Sequence, residues 1–318
     1  MRIVRGFFCL AAAAAVLFAQ SQAPEKASQK DPKKDPDQIG NRQVDKGLNW
    51  YSIDKEMALG KAWAQQVQQN AQMVDDPVIS EYVNRVGQNL ARNSDAKFPL
   101  IIKVMHDDSP NALSLPGGFM FVNTGLILTA ASEAELAGGM AHEIGHIAAR
   151  HVTRTLTRQQ ASQLATIPLI FIGGWAGYGA RQSAGALLPI GMLHFDRAFE
   201  SEADLLGLEY MYKAGYDPNG LVDMFEKIDS LTKKKPGRAA RIFSDHPLTG
   251  DRITAAQKDI QELLKSQPQY VVTTSEFEQV KARLIALEHK RKPAPQDDPN
   301  RPTLHRAPDK HIGLVAAE

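Results

Sequence analysis

The sequence predicts an α+β fold, mainly helical, with one small β-sheet. Three observations carry this reading. Segments on both sides of the middle place apolar residues at steps of three and four. Between them the chain turns to short β-prone runs bounded by Asp-Asp-Ser-Pro, Pro-Gly-Gly and Thr-Gly. A chain of 318 residues, 43% of them hydrophobic, can bury a sizeable core.

The chain opens with Arg2 and Arg5, an apolar run from Phe7 to Ala19, and then small residues. That is the order of a secretory signal, and the run is shorter than the roughly 20 residues a membrane span needs. Residues 1–21 are read as a signal to an extracytoplasmic, periplasmic compartment. An uncleaved N-terminal anchor is the competing arrangement. The single cysteine, Cys9, lies in this segment, so no intramolecular disulfide and no cysteine-based zinc site is available. Residues 22–48 are rich in Lys, Asp and Pro and read as a flexible linker; 291–318 read as a disordered tail. The body, 49–290, is one domain. Its chain carries 37 basic and 36 acidic residues, a balance that offers nucleic acid no footprint.

Within the body, Ser52 opens a helix with a stripe of Ile53, Met57, Ala64, Val67, Ala71 and Val74, Gly60 filling the gap between Met57 and Ala64. A second helix from Pro77 carries Val78, Ile79, Tyr82, Val83, Val86 and Leu90 on one side. "FPLIIKVMHD" and "GGFMFVNTG" then read as strands. Ser132 and Glu135 form a capping box, so one helix is expected from there through "AHEIGHIAARHVTRTL". Gly138, Gly139 and Gly145 are poor helix formers, which points to close approach of another backbone. Residues 164–179 are apolar but broken by Pro168 and glycines. They read as a buried or cavity-lining segment, with peripheral membrane contact as the alternative. "FDRAFESEADLLGLEYMYKAGYDPNG" is a helix ended by Gly215 and Pro218, and further helices follow in "LVDMFEKIDSL", after "DHPLTGDR", and in "SEFEQVKARLIALE".

The chemistry sits at residues 142–146. His142 and His146 are four apart, on one helix face, where two ring nitrogens can share a metal ion. Glu143 is one step round, the position of a base beside that ion. A catalytic zinc takes a third protein ligand and keeps one position open. With cysteine excluded, the candidates are Asp, Glu or another His. Glu200 stands out, four residues before Asp204 on one helix face, where one carboxylate can bind zinc and the other accept the free N–H of a ligand histidine. The bland alternative for this acidic pair is a solvated helix face. Glu202 reads as a surface residue, and His151 as structural and not placed to share the metal.

His-Glu-Ile-Gly-His is followed some fifty residues later by Glu-x-x-x-Asp. "NALSLPGGFMFVNTGLI" precedes it and "HPLTGDR" follows. In this order the chain resembles the gluzincin metallopeptidase family of HtpX, the CAAX prenyl protease and BepA, from about Tyr51 to Leu264. The resemblance implies a zincin-type domain with one Zn2+ on His142, His146 and Glu200, a general base and acid at Glu143, and an orienting carboxylate at Asp204. It puts His246 and Arg252 near the open side of the metal, to steady an oxyanion. The alternative for His246 is the fourth zinc position, which would hold the enzyme latent. The resemblance also implies an edge strand before the zinc helix. There Gly118, Phe119, Met120 and Phe121 would pair with an extended peptide, with Asn111 and Ala112 as further backbone contacts. An internal core strand is the other reading of "FMFV". The chain lacks the long apolar spans of the integral-membrane members and the helical repeats of BepA-like ones.

The function expected is that of a zinc-dependent endopeptidase of the bacterial cell envelope, acting on unfolded or misassembled polypeptides. The competing function is a chaperone-like holdase or assembly factor whose zinc site is latent or structural.

Overall fold

The computed structural model describes residues 34–165, 195–234, 246 and 250–291. The expected signal, the tail beyond 291 and all but the start of the apolar 164–179 stretch lie outside the described residues. Ser52 Oγ accepts the Lys55 N–H and starts α1 (Ile53–Asn70); Asp76 accepts from Val78 and Ile79 and starts α2 (Pro77–Arg92). α2 buries the stripe its spacing predicts, apart from the exposed Val78. α1 follows its predicted stripe in part: Gly60 and Ala64 are buried and Ile53 and Val67 pack half-buried on the core, but Met57 is exposed and Glu56 and Trp63 join the buried face. A Cβ on Gly60 would stand 1.7 Å from the Pro116 carbonyl oxygen, and Glu56 reaches inward to Arg150. A glycine contact and a buried ion pair set this face, and neither registers as apolar periodicity.

The sheet has three strands: β1 (Ile101–Met105), β2 (Ala112–Leu115) and β3 (Phe119–Asn123). Their order is β1-β3-β2, with β3 parallel to β1 and antiparallel to β2. This corrects the expected substrate strand at Gly118, Phe119, Met120 and Phe121. β3 is paired on both sides, and Met120 and Phe121 are buried. Its near-continuous apolar run is what a strand covered on both faces requires. The edge next to the metal-motif helix is β2, four residues of "ALSL" that the sequence hardly marks.

After α3 (Thr124–Thr129), Ser132 Oγ accepts the Glu135 N–H and starts α4 (Glu133–Ala148). The Glu135 carboxylate turns back to the Ala131 N–H. α4 is buried on nearly every side and packs on β2, α6 (Arg197–Lys213) and α7 (Asn219–Lys234). Two of its glycines mark close backbone approach, as expected. A Cβ on Gly138 would lie 2.7 Å from Leu221 Cα, and one on Gly145 would lie 2.7 Å from the Ala203 carbonyl oxygen.

The single helix expected across 133–156 breaks in two. Arg150, at φ 56°, is the one non-glycine among the described residues in the left-handed region, and α5 (His151–Ala165) leaves from it. Arg150 is held there by Glu56 Oε2 at 2.7 Å and the Tyr51 carbonyl at 2.6 Å. α8 (Gly250–Leu263) packs on α6 and α7, and α9 (Ser275–Arg291) on α2 and α3. Among the described residues no helix is long and apolar enough to cross a membrane.

The expected linker is also corrected over its second half. Residues 36–48 run along the domain. Arg42 donates to Asp95 Oδ2 at 2.9 Å and to Glu209 Oε2 at 2.6 Å, with all three side chains at most 2% exposed. Val44 joins the core. Composition misleads here because two residues, Arg42 on its buried acids and Val44 in the core, are enough to tie down a segment whose other polar residues mostly face water. Burial raises the Glu209 carboxyl to about 7 despite Arg42. Two stability outcomes follow. Arg42→Ala strands two buried carboxylates and lowers unfolding free energy by about 3–5 kcal/mol, read from the urea midpoint. Gly145→Ala wedges α4 from α6 and costs about 1–3 kcal/mol in the same measurement. A wild-type midpoint in either variant would contradict the packing described.

Candidate metal centre

The Gly145–Ala203 contact sets Glu200, one turn earlier on α6, opposite the histidine pair of α4. His142 Nε2 and His146 Nε2 face each other at 3.1 Å. Glu200 Oε2 stands 3.6 Å from His142 Nε2, and its Oε1 stands 3.5 Å from His146 Nε2. His246 Nδ1 lies 3.4 Å from His142 Nε2 and 2.9 Å from Glu200 Oε1. One ligand atom from each of the four lies within 4.8 Å of the others, and all four residues are buried.

Lone pairs turned on a common point inside a protein are costly unless a cation or a proton sits among them. Tetrahedral zinc, with bonds of about 2.0–2.1 Å, spaces its ligand atoms about 3.3 Å apart. The pairs measured above, 2.9–3.6 Å apart over both Glu200 oxygens, straddle that value. Imidazole nitrogen with carboxylate oxygen suits a divalent ion of this kind, so the residues present fit a metal.

The outer nitrogens are also engaged. His142 Nδ1 is 2.9 Å from Asp204 Oδ1. Arg252 grips Asp204 through Nε and a terminal nitrogen, each at 2.7 Å, and its other terminal nitrogen is 2.7 Å from Glu200 Oε2. Burial alone would raise the Asp204 carboxyl, but Arg252 and His142 outweigh it and lower it. Burial likewise opposes charge on Glu200, and His246, His142 and Arg252 together lower its carboxyl. The expected oxyanion role of Arg252 is therefore corrected. Its guanidinium is committed to two buried carboxylates that need a countercharge.

Glu143 Oε2 accepts the Ser114 N–H of β2 at 3.0 Å, while its Oε1 is 3.5 Å from His246 Nε2. The carboxylate thus stands between the edge strand and the four-residue cluster. Burial disfavours a charged His246, but Glu143 and Glu200 outweigh it and raise that ring to about 9. Next to His142 and Glu143 opens a mainly apolar pocket, lined by Ala112, Leu126, Gly139, Met224, Phe225 and Ile228.

His142, Glu143, His146, Glu200, Asp204, His246 and Arg252 thus come together, whereas Gly118, Phe119, Met120 and Phe121 do not. Sequence reasoning missed three neighbours. Ser114 meets Glu143. His151 Nδ1 lies 3.0 Å from His146 Nδ1, and Glu202, still 26% exposed, meets His151 Nε2 at 3.1 Å. Nothing in the spacing signals His151, because it reaches His146 only through the break at Arg150.

The model of peptidase family M48 matches residues 77–260. The beta-barrel assembly-enhancing protease of Escherichia coli (strain K12) is 28% identical over 244 residues, 74% of this chain and 49% of that protein. A Vibrio cholerae serotype O1 protein that carries the same name provisionally is 30% identical over 243 residues, with the same coverage of 74% and 49%. The mitochondrial metalloendopeptidase OMA1 of Schizosaccharomyces pombe is 32% identical over 185 residues, 57% of this chain and 53% of that one. The chain spans about half the length of these relatives. The matched segment contains the four-residue cluster, Glu143 and the Asp204–Arg252 pair, and the chain belongs to peptidase family M48.

Proposed function

We propose that this chain is a zinc-dependent endopeptidase of the bacterial cell envelope that hydrolyses peptide bonds of unfolded or misassembled proteins. Glu143 carries the reading. A structural metal site needs no base, yet this carboxylate is held between the metal cluster and the outer strand β2. That position disfavours a holdase with a merely structural zinc. The names of the relatives, proteases that enhance beta-barrel assembly, support the envelope, as does the reading of 1–21 as a secretion signal. Peripheral membrane contact through 164–179 belongs to the same proposal.

His142, His146 and Glu200 would hold the zinc. When bound, it supplies Lewis-acid polarisation of the attacking water and of the scissile carbonyl. Glu143 takes the proton of that water and delivers it to the departing amine. Asp204, braced by Arg252, keeps the His142 ring turned toward the site. The 2.9 Å approach of His246 Nδ1 to Glu200 supports its placement as a fourth ligand that gives way to substrate. An extended peptide would add to β2, whose Ser114 N–H already points out of the sheet. Recognition through main-chain groups makes the side-chain requirement broad and demands an extended chain. The apolar pocket beside Glu143 takes a side chain next to the cut bond.

Glu143→Gln is expected to retain one zinc per chain and to cut casein about 10²–10⁴-fold more slowly. Wild-type cleavage by that variant would sink the mechanism. Ile228→Trp fills the pocket and is expected to shift cuts in a long unfolded substrate toward small residues. Mass-spectrometric mapping of the products reads this and also shows whether the cuts are internal. An unchanged cut pattern would remove the pocket from the substrate path.

A further inference from the structure

We infer that His151 and Glu202 form a positioning relay that holds the ring of His146 in its metal-facing orientation. The inference deepens the metal reading and rests on it. His146 turns Nε2 toward His142 and Glu200, so its other nitrogen, Nδ1, must be satisfied elsewhere. That atom meets His151 Nδ1 at 3.0 Å, and His151 Nε2 meets Glu202 Oε2 at 3.1 Å. Only one proton arrangement suits a His146 that offers a lone pair from Nε2. The His146 Nδ1–H donates to His151 Nδ1, and the His151 Nε2–H donates to Glu202. Each proton along the line is then assigned by the ion's demand at the far end.

The surroundings immobilise this line. His151 is 0% exposed and stacks on Phe199, with ring centroids 4.2 Å apart and planes 16° apart. Arg154 packs on the same ring: its guanidinium is 4.5 Å from the Phe199 ring centre and 3.2 Å from Glu202 Oε2. The same Arg154 nitrogen donates to the Ala149 carbonyl at the end of α4. Glu202 therefore has a countercharge, and the relay is tied to the end of the helix that bears His146.

Backbone strain points to the same place. In an unbroken helix, residues five apart lie about 140° round from one another, so His151 would face away from His146. The left-handed Arg150 turns α5 and brings it back. Such a conformation costs a non-glycine residue about 1–2 kcal/mol and persists only where the surroundings enforce it, here through Glu56 and Tyr51.

The two histidine ligands are thus oriented differently. His142 leans directly on the Asp204 carboxylate, whereas His146 leans on a neutral ring that passes the load to Glu202. A neutral acceptor strengthens the donor power of His146 less than a carboxylate would. It keeps one negative charge a ring further from a site that already holds Glu143, Glu200 and Asp204.

The test uses the full chain loaded with zinc, with wild type, His151→Phe, His151→Asn and Glu202→Gln compared. Phenylalanine keeps the stack on Phe199 but has no acceptor. Asparagine places an oxygen where Nδ1 stood. Zinc release to an excess of chelator is expected to be about 10–100-fold faster in His151→Phe. His151→Asn is expected to recover most of that loss, and Glu202→Gln to fall between the two. A protected His146 Nδ1 proton in the imidazole NMR region is expected in wild type and His151→Asn and absent in His151→Phe. Equal zinc release from wild type and His151→Phe would overturn the relay, as would failure of asparagine to restore it. If His151→Phe does not fold, Glu202→Gln and His151→Asn decide, since wild-type release in the first with impaired release in the second contradicts the assignment. No zinc in the wild type would overturn the metal reading itself, and the relay with it.

Discussion

The site depends on one contact between two backbones. At Gly145 the motif helix α4 has no side chain, and the carbonyl of Ala203 on α6 fills the space. Glu200 lies less than one turn before that contact, so the separation of the two helices sets how far its carboxylate stands from the histidines. Metal–ligand distances tolerate deviations of about 0.2 Å. A single methyl group inserted at Gly145 would move the helices by more than that. Gly138 repeats the device about two turns earlier on α4, where α7 approaches with Met224, Phe225 and Ile228 of the pocket. Both the metal ligands and the pocket wall are positioned by what α4 lacks.

Burial on this scale creates a problem of charge. Glu143, Glu200 and Asp204 all sit in the interior around the same point. Arg252 answers for two of them with a side chain that is itself 8% exposed. Its place on α8 explains why that helix belongs to the centre although it comes late in the chain. α6 carries a third buried acid, Glu209, further along, and Arg42 from the N-terminal segment meets it. The helix that presents Glu200 is thus pinned by arginines drawn from both ends of the described chain. In each case removing one partner leaves a charge in a medium that cannot solvate it.

Much of this was legible before any coordinates. The capping box at Ser132, the four-residue spacing of His142 and His146, and the spacing of Glu200 and Asp204 are local patterns. Local patterns survive folding because a helix fixes the relation of residues three and four apart. The same holds for the stripe of α2 and for the stop at Gly215. Where reading failed, the cause was long-range. Glu56 gives no sign in the sequence that it is a buried partner of Arg150. Residues 36–48 looked like a tether and are tied down by Arg42. "FMFV" looked like an edge, yet its place in the sheet is decided by which strands flank it.

The sequence by itself determined the helix that bears the motif, the faces its residues share, and the residue types able to hold a metal. Tertiary structure alone decided which strand lies at the edge, what Arg252 grips, and that α4 ends where α5 swings His151 under His146. The physical reason is the reach of the interactions. Hydrogen bonding along a helix links residues four apart, whereas the order of strands, the partners of buried charges and a left-handed turn at an arginine are set by groups tens to hundreds of residues away. Helical periodicity carries no trace of those groups.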